Sequence, residues 1–481
     1  MEKFDQSKAP YVEALGRYSN EDIVPFDVPG HHMGNISNPA VSLLGRHVYR
    51  LDVNAPIGLD NLAHPSGVLK EAEDYCADAM GADHAFFLIN GTSSGIIAMI
   101  LTACKAGETI ILPRNVHKSI INALILSGAV PVYLMPEIDE DLEIANQPSL
   151  EQYQKAIQAH PSAKAIFVIN PTYFGAVGNL RAIVELAHAH GMGVLVDEAH
   201  GAHYYFHASG SPLTAMDAGA DMSSVSMHKT AGSLTGSSVL LMKGDRYSPF
   251  EIQRSLNIIN TTSPSGLLIA SLDGARQFMA TKGKQVQEET YKLAEYAESQ
   301  INGIPGFRVC GKSHFLAHGC FDFDRSKLVI ALDSLDINGF QLYQLGMAKY
   351  KIQFELAETY AVLCIFAIGT KKEHVDRLVA SLREVSKEHY HPEMKFADHH
   401  FDNRFPYAFI RPRIAFHAAG MLVRLEDCAD KISKEQVMLY PPGIPLICPG
   451  EVWTKELVER VASYRKEGVK ILSTYPDEFE V

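Results

Sequence analysis

The chain is poor in features that would staple, anchor or electrostatically recruit it. Its seven cysteines stand at irregular positions (76, 104, 310, 320, 364, 428 and 448) and never as a CxxC pair. That spacing supports neither a disulfide framework nor a thiolate zinc site, so reduced thiols are expected. No apolar run reaches the ~18 residues that a membrane span needs. The start, MEKFDQSKAPYVEALGRY, lacks the apolar core of a signal peptide, which makes a cytoplasmic protein the expectation. Positive charge is also in deficit. With 43 Lys and Arg against 56 Asp and Glu, the net charge of −13 argues against nucleic acid or an anionic membrane as partner.

What remains is ordinary globular material, 47% hydrophobic and 21% charged. A chain of 481 residues is too long for one ordinary domain and long enough to bury a large core without staples. Between residues 85 and 243, short apolar runs alternate with segments of helical period. The runs are AFFLIN (85–90), TIILP (109–113), VPVYLM (130–135), AIFVIN (165–170), GVLVDEA (193–199), MSSVSM (222–227) and SVLLM (238–242). Runs that are apolar throughout suit strands covered on both faces, and the alternation with helices predicts an α/β fold with a mainly parallel central sheet.

Four segments are expected. Residues 1–80 read as an irregular arm plus a helix near 67–80, and 81–275 as the large domain. A continuous helical pattern over 264–300 leads into a smaller α/β lobe at 276–387, with strands at 328–332 and 363–368. A His-rich linker (388–400) opens a small C-terminal domain, 388–481.

Chemistry-bearing residues gather at the predicted strand ends, where open α/β sheets place ligands. NGTSSG (90–95) follows the first strand and opens an apolar helix. Thr92 and Ser93 then fall at a helix start, where hydroxyls, backbone N–H groups and the helix dipole can cradle a phosphate. An ordinary Ser/Thr helix cap has the same look. Asp197 is the first polar residue after GVLV, and a charge held there demands a partner unless it merely caps the next turn. Lys229, in SMHKTAGSLTGSS (226–238), follows another buried-looking strand. A desolvated lysine is suited to Schiff-base chemistry, and Ser226 and His228 flank it.

Taken together, a phosphate turn, an Asp 104 residues after Ser93 and a Lys 32 residues further on resemble the fold type I pyridoxal-phosphate (PLP) enzymes, the aspartate-aminotransferase type. Within that group the chain is similar to the bacterial ornithine/lysine/arginine decarboxylases, and most like the short biosynthetic arginine decarboxylases. The segments that carry the likeness are FDVPGHHMG (26–34), LDNLAHPSGVLKEAE (59–73), NGTSSG, RNVHKS (114–119), VINPTYFG (168–175), DEAHG (197–201), SMHK, TTSPS (261–265) and LYPPGIPLICPGE (439–451).

The resemblance implies pyridoxal 5′-phosphate as cofactor and decarboxylation of a basic amino acid, arginine first and lysine or ornithine next, for polyamine synthesis. It implies that Lys229 forms the Schiff base, that Asp197 bonds the pyridine nitrogen and that His117 stacks on the ring. Thr92, Ser93, Ser226 and His228 would hold the phosphate, with Thr262 reaching it from the partner in a homodimer. Glu451 is the candidate receptor for the substrate's distal cation, with Asp60 behind it, and His200 is expected beside the cofactor. No metal is implied. Two segments depart from the family pattern: His32 in PGHHMG stands where lysine is usual, and 411–416 reads RPRIAF.

Other readings are weaker. An aminotransferase or lyase on the same cofactor would need an arginine for the α-carboxylate, and Arg308, Arg325, Arg377 and Arg383 sit in no recognised motif. A non-catalytic scaffold is opposed by the Asp197–Lys229 pair. DEAH (197–200) and GFRVCGKS (306–313) invite an ATPase, but the P-loop pattern lies 109 residues after the acidic box instead of before it. The sequence after Ser313 also predicts no phosphate-binding helix.

Overall fold

Residues 4–394, 405–439, 444–466 and 469–481 are described by a computed structural model. Part of the expected linker (395–400) and four residues of the LYPPGIPLICPGE segment (440–443) lie outside them. In chain order the strands up to the middle of the protein are β1 (His84–Leu88), β2 (Thr109–Pro113), β3 (Val130–Leu134), β4 (Ile138–Asp139) and β5 (Ile144–Ala145). They continue with β6 (Ala165–Ile169), β7 (Ala176–Val177), β8 (Gly193–Asp197), β9 (Met222–Val225) and β10 (Ser238–Met242). Each apolar run of the sequence therefore becomes a strand, and all but the half-buried β3 are largely covered on both faces, where no polar alternation is needed.

The contacts divide the chain into two compact units, Met1–Thr102 with Leu195–Glu288, and Ala103–Val194 with Glu289–Val481. In the first, β9 pairs in parallel with β8, while β10 runs antiparallel to both β9 and β1. In the second, β2 lies parallel to both β3 and β6. The crossover helix Lys118–Ser127 is capped by His117 and stopped by Gly128 in the left-handed conformation, φ 73°. The expected α/β class with mainly parallel strands is met.

The first 80 residues are more ordered than their composition predicts. They form helices Pro10–Asn20, Pro39–Leu44 and Arg46–Leu51 ahead of the expected one, Val68–Ala79. The arm is pinned from below by a fully buried ion pair. Arg276 binds Asp273 and donates to the Gln6 carbonyl at 3.1 Å, while Asp273 accepts the Tyr11 N–H at 2.9 Å. The predicted helix over 264–300 is met from Gly266 to Ile301, with a π-turn at Met279–Gly283 joining Gly266–Phe278 to Lys284–Ile301 without leaving helical conformation. Gly283 closes that π-turn against Phe206, where an added Cβ would come to 3.0 Å.

The smaller sheet of the second unit is antiparallel, in the order β11 (Phe307–Cys310), β13 (Lys327–Leu332), β15 (Ala361–Ile365), β14 (Leu356–Glu358). A separate two-stranded ribbon pairs β12 (Asp322–Phe323) with β7. A helix does follow the P-loop-like GFRVCGKS, contrary to expectation, at Lys312–Ala317. It has only six residues, and Lys312 spends its charge on Asp322 at 2.6 Å. At the C-terminal end, the only tryptophan, Trp453, is fully buried with Leu425, Val437, Ile447 and Phe479.

Candidate active site

In the first unit the ends of two parallel strands bring the chemistry together. β8 is buried along its length and ends at Asp197, which lies opposite Ser224 of β9. Asp197 is 6% exposed, and its Oδ1 accepts the Ala199 N–H at 3.1 Å. Burial raises its pKa above the usual carboxylate range, against the Ala199 hydrogen bond and the nearby Lys229 charge. A carboxylate in that position is short of a cation.

One residue past β9, Ser226 opens the short helix Met227–Thr230, which carries Lys229. The Lys229 Nζ lies 2.8 Å from Nε2 of His200, itself 5% exposed on the turn after Asp197. His228 points elsewhere. Its Nδ1 is 2.8 Å from the Ser237 carbonyl, and since a carbonyl only accepts, Nδ1 carries the proton. Burial lowers its pKa, with Lys229 adding to the effect. The neutral ring therefore keeps a lone pair on Nε2, and a phosphate contact there requires the imidazolium.

The helix Gly91–Ala103 brings the third component. Gly91 adopts φ +68°, and its N–H donates to the Gly236 carbonyl at 2.6 Å, which turns the chain sharply out of β1. Thr92 Oγ1 lies 3.2 Å from Ser226 Oγ, and Ser93 is half-buried beside it. Gly95 is required by contact, because a Cβ there would stand 2.3 Å from Ser224 Oγ. A side chain at that position would lift the helix start away from the strand ends.

Sequence reasoning missed Glu198. It is fully buried, and its carboxylate accepts from Ser223 Oγ at 2.9 Å, the Ala215 N–H at 3.0 Å and the Tyr205 hydroxyl. Burial pushes its pKa up to about 8 despite those donors. It underpins the turn that presents His200. The signal was an acid next to Asp197, but nothing in the spelling DEAH tells the roles of the two buried carboxylates apart.

The other expected residues are placed differently. Thr262 is exposed in the turn before helix Gly266–Phe278. Asp60 has φ +68° and folds its own loop, accepting from the N–H groups of Asn61, Ser66, Gly67 and Lys70. Burial opposes this, yet the four donors leave its pKa below the usual range. In the second unit, His117 caps its helix through Nδ1, which accepts the Ser119 N–H at 3.3 Å and lies 2.9 Å from Ser119 Oγ.

Glu451, expected to receive a substrate cation, already holds one from its own chain. Arg114 Nε and Nη2 donate to its two oxygens at 2.7 and 2.6 Å, and the Cys448 N–H adds 2.8 Å. The pair is buried at both ends, so the charge of the carboxylate is already matched within the chain.

Comparison with known proteins gives the arrangement a context. Residues 9–328 match the model of the Orn/Lys/Arg decarboxylase major domain, and residues 398–476 that of the Orn/Lys/Arg decarboxylase C-terminal domain. The arginine decarboxylase of Bacillus subtilis (strain 168) is 39% identical over 474 residues, covering 97% of this chain and 95% of that one. The arginine decarboxylase of Halalkalibacterium halodurans is 40% identical over 477 residues, covering 98% and 97%. Among solved structures, the Francisella novicida lysine decarboxylase LdcF superposes with a TM-score of 0.83 at 20% identity, over 98% of this chain and 79% of its own. That last likeness shows the fold.

Pyridoxal 5′-phosphate fits the donor set of the first unit. Lys229 offers a primary amine to an aldehyde, and Asp197 offers a buried carboxylate to a pyridinium N–H. The hydroxyls of Thr92, Ser93 and Ser226, with the N-terminus of a 13-residue helix, suit a phosphate dianion. Thr230 Oγ1, next to Lys229, is buried without a hydrogen-bond partner and would gain one from a ligand.

Proposed function

We propose that this chain, which belongs to the Orn/Lys/Arg decarboxylase family, removes the α-carboxylate of L-arginine as CO2 and releases agmatine. The observation that carries the reading is the Lys229–His200 contact of 2.8 Å beside buried Asp197, on the ends of adjacent strands. The choice of arginine is supported by relatives named arginine decarboxylase at 39% and 40% identity over nearly the whole chain.

When bound, pyridoxal phosphate supplies a conjugated sink for the electron pair left on Cα as CO2 departs. The protein does the rest. Lys229 tethers the cofactor, and His200 Nε2 stands where it can hold the proton that Lys229 gives up. Asp197 would bond the ring nitrogen and favour its protonated form, because a buried carboxylate is far better off beside a cation. Thr92, Ser93 and Ser226 would grip the phosphate, and the ring face is the role that the family resemblance gives His117. Which substrate bond breaks would depend on how the site orients the α-carboxylate and excludes water, a task for the residues that bind it. The guanidinium falls to a carboxylate other than Glu451 or Asp60, both of which have internal partners.

The working form is a homodimer in the cytoplasm, with Thr262 of each copy offered to its neighbour's phosphate, and agmatine feeds polyamine synthesis. Among the described residues no helix is long and apolar enough to cross a membrane. The test is to incubate the purified protein and pyridoxal phosphate separately with arginine, lysine and ornithine and to identify the amine formed. Agmatine as the main product supports the assignment. Cadaverine or putrescine would move it to lysine or ornithine, and no amine from any of the three would remove it.

A further inference from the structure

A second cluster of ligating side chains lies in the second unit, on elements that carry no part of the proposed reaction. The β4–β5 hairpin supplies Asp139 and Asp141. Helix Lys312–Ala317 and the residue that ends it supply His314 and His318. The i, i+4 spacing puts both rings on one helix face, with centroids 4.2 Å apart. One ligand atom from each of Asp139, His314 and His318 falls within 4.8 Å of the others.

The hydrogen bonding fixes what these rings present. His318 Nδ1 is 2.9 Å from the His314 carbonyl, so it carries the proton, and the neutral ring aims the Nε2 lone pair outward. That lone pair faces Asp139 Oδ1 at 3.9 Å and Asp141 Oδ2 at 3.6 Å. A lone pair set against two carboxylates is relieved by a proton on Nε2 or by a cation held between them. Protonating Nε2 does not close these gaps, since an N–H···O bond spans about 2.8 Å. A metal ion with bonds of about 2.0–2.2 Å on either side does.

The remaining contacts agree. His314 Nε2 already touches Asp139 Oδ2 at 2.7 Å and would open by roughly half an ångström around an ion. Asp139 is fully buried and held by the N–H groups of Asp141 and Leu142, both 3.1 Å from Oδ1. The backbone carbonyl on His318 Nδ1 is the kind of outer contact that orients ligating histidines. The rings are only partly covered, which leaves room for water as a further ligand.

We propose that Asp139, His314 and His318, completed by Asp141 or water, bind a zinc-class divalent ion that clips the β4–β5 hairpin to helix Lys312–Ala317. Two imidazoles select zinc over magnesium or calcium, whose preferred ligands are all oxygen. The Arg308 guanidinium, near enough to Asp141 to feel its charge, opposes binding there and favours water in the fourth position.

The test uses chelator-treated, pyridoxal-phosphate-loaded protein titrated with zinc chloride by calorimetry, with magnesium chloride as control. One zinc per chain at micromolar Kd or tighter is expected, with no magnesium heat and a raised thermal midpoint. His314→Gln/His318→Gln should weaken binding roughly 100-fold or more. Should that double variant misfold by circular dichroism, His318→Gln alone, at a partly exposed ring, is read by the same criterion. The proposal fails if the wild type takes up no zinc, or if the folded variant binds it equally well.

Discussion

Arg114 and Glu451, 337 residues apart, form a buried ion pair in which Nε and Nη2 each meet one carboxylate oxygen. It joins RNVHKS, which follows β2, to the segment ending PGE. The guanidinium also donates to the Pro445 carbonyl at 3.0 Å and lies over the Phe405 ring at 4.9 Å. Those contacts spread the desolvation cost that such a pair must recover. What reads in sequence as two separate signatures is one joint.

The first prediction follows from its burial. Glu451→Gln strands a charged guanidinium and should destabilise the chain by about 3–5 kcal/mol, measured by urea unfolding. Replacing both partners, Arg114→Met with Glu451→Met, should restore most of that loss. A single variant within about 0.5 kcal/mol of wild type would mean that the pair carries little of the C-terminal packing.

Lys229 and Asp197 should separate by readout. Lys229→Ala is expected to lose borohydride-fixable cofactor and to lower turnover by roughly 10³-fold or more. Asp197→Asn should still take the cofactor on Lys229, yet lose roughly 10²-fold or more in turnover as the ring charge goes unsupported. Peptide mapping after reduction decides the first. Cofactor fixed at another lysine in the wild-type protein would displace Lys229 from the proposed role.

The pH dependence of stability has a defined sign. Glu73 and Glu198 are buried with pKa values pushed to about 8, against 4.5 for the free side chain. A carboxyl raised on folding favours the native state fully below the unfolded value, and that contribution is lost as pH climbs through the folded one. Stability should therefore fall from about pH 5 to pH 8, and Glu198→Gln should remove up to about 1.4 kcal/mol per pH unit from the slope. Urea midpoints across that range measure it. Identical slopes in wild type and variant would show that Glu198 is ionised throughout.

The sequence showed its strands because both-face burial writes itself as unbroken apolar runs, and it showed Lys229 and Asp197 because each interrupts such a run at its end. Other features left no such trace. Helix Pro10–Asn20 was hidden by Gly16 and a surrounding richness in Pro and Gly, and it is held by contacts from Asp273 and Arg276 far along the chain. The π-turn at Met279–Gly283, with Gly283 close against Phe206, leaves no mark in the hydrophobic periodicity. Glu451 was misjudged because a glutamate after a turn looks solvated until its distant arginine is known. His228 was read as a phosphate donor before the Ser237 carbonyl fixed which nitrogen holds its proton.

Because the chain has one tryptophan and that ring packs against Phe479 at 5.2 Å in the C-terminal core, intrinsic indole emission reports on a single layer of the molecule. Loosening of that layer would redden the fluorescence while the strands around Lys229 stayed intact, and cofactor absorbance would follow the other event. Two optical signals thus monitor two regions of one polypeptide without any added label.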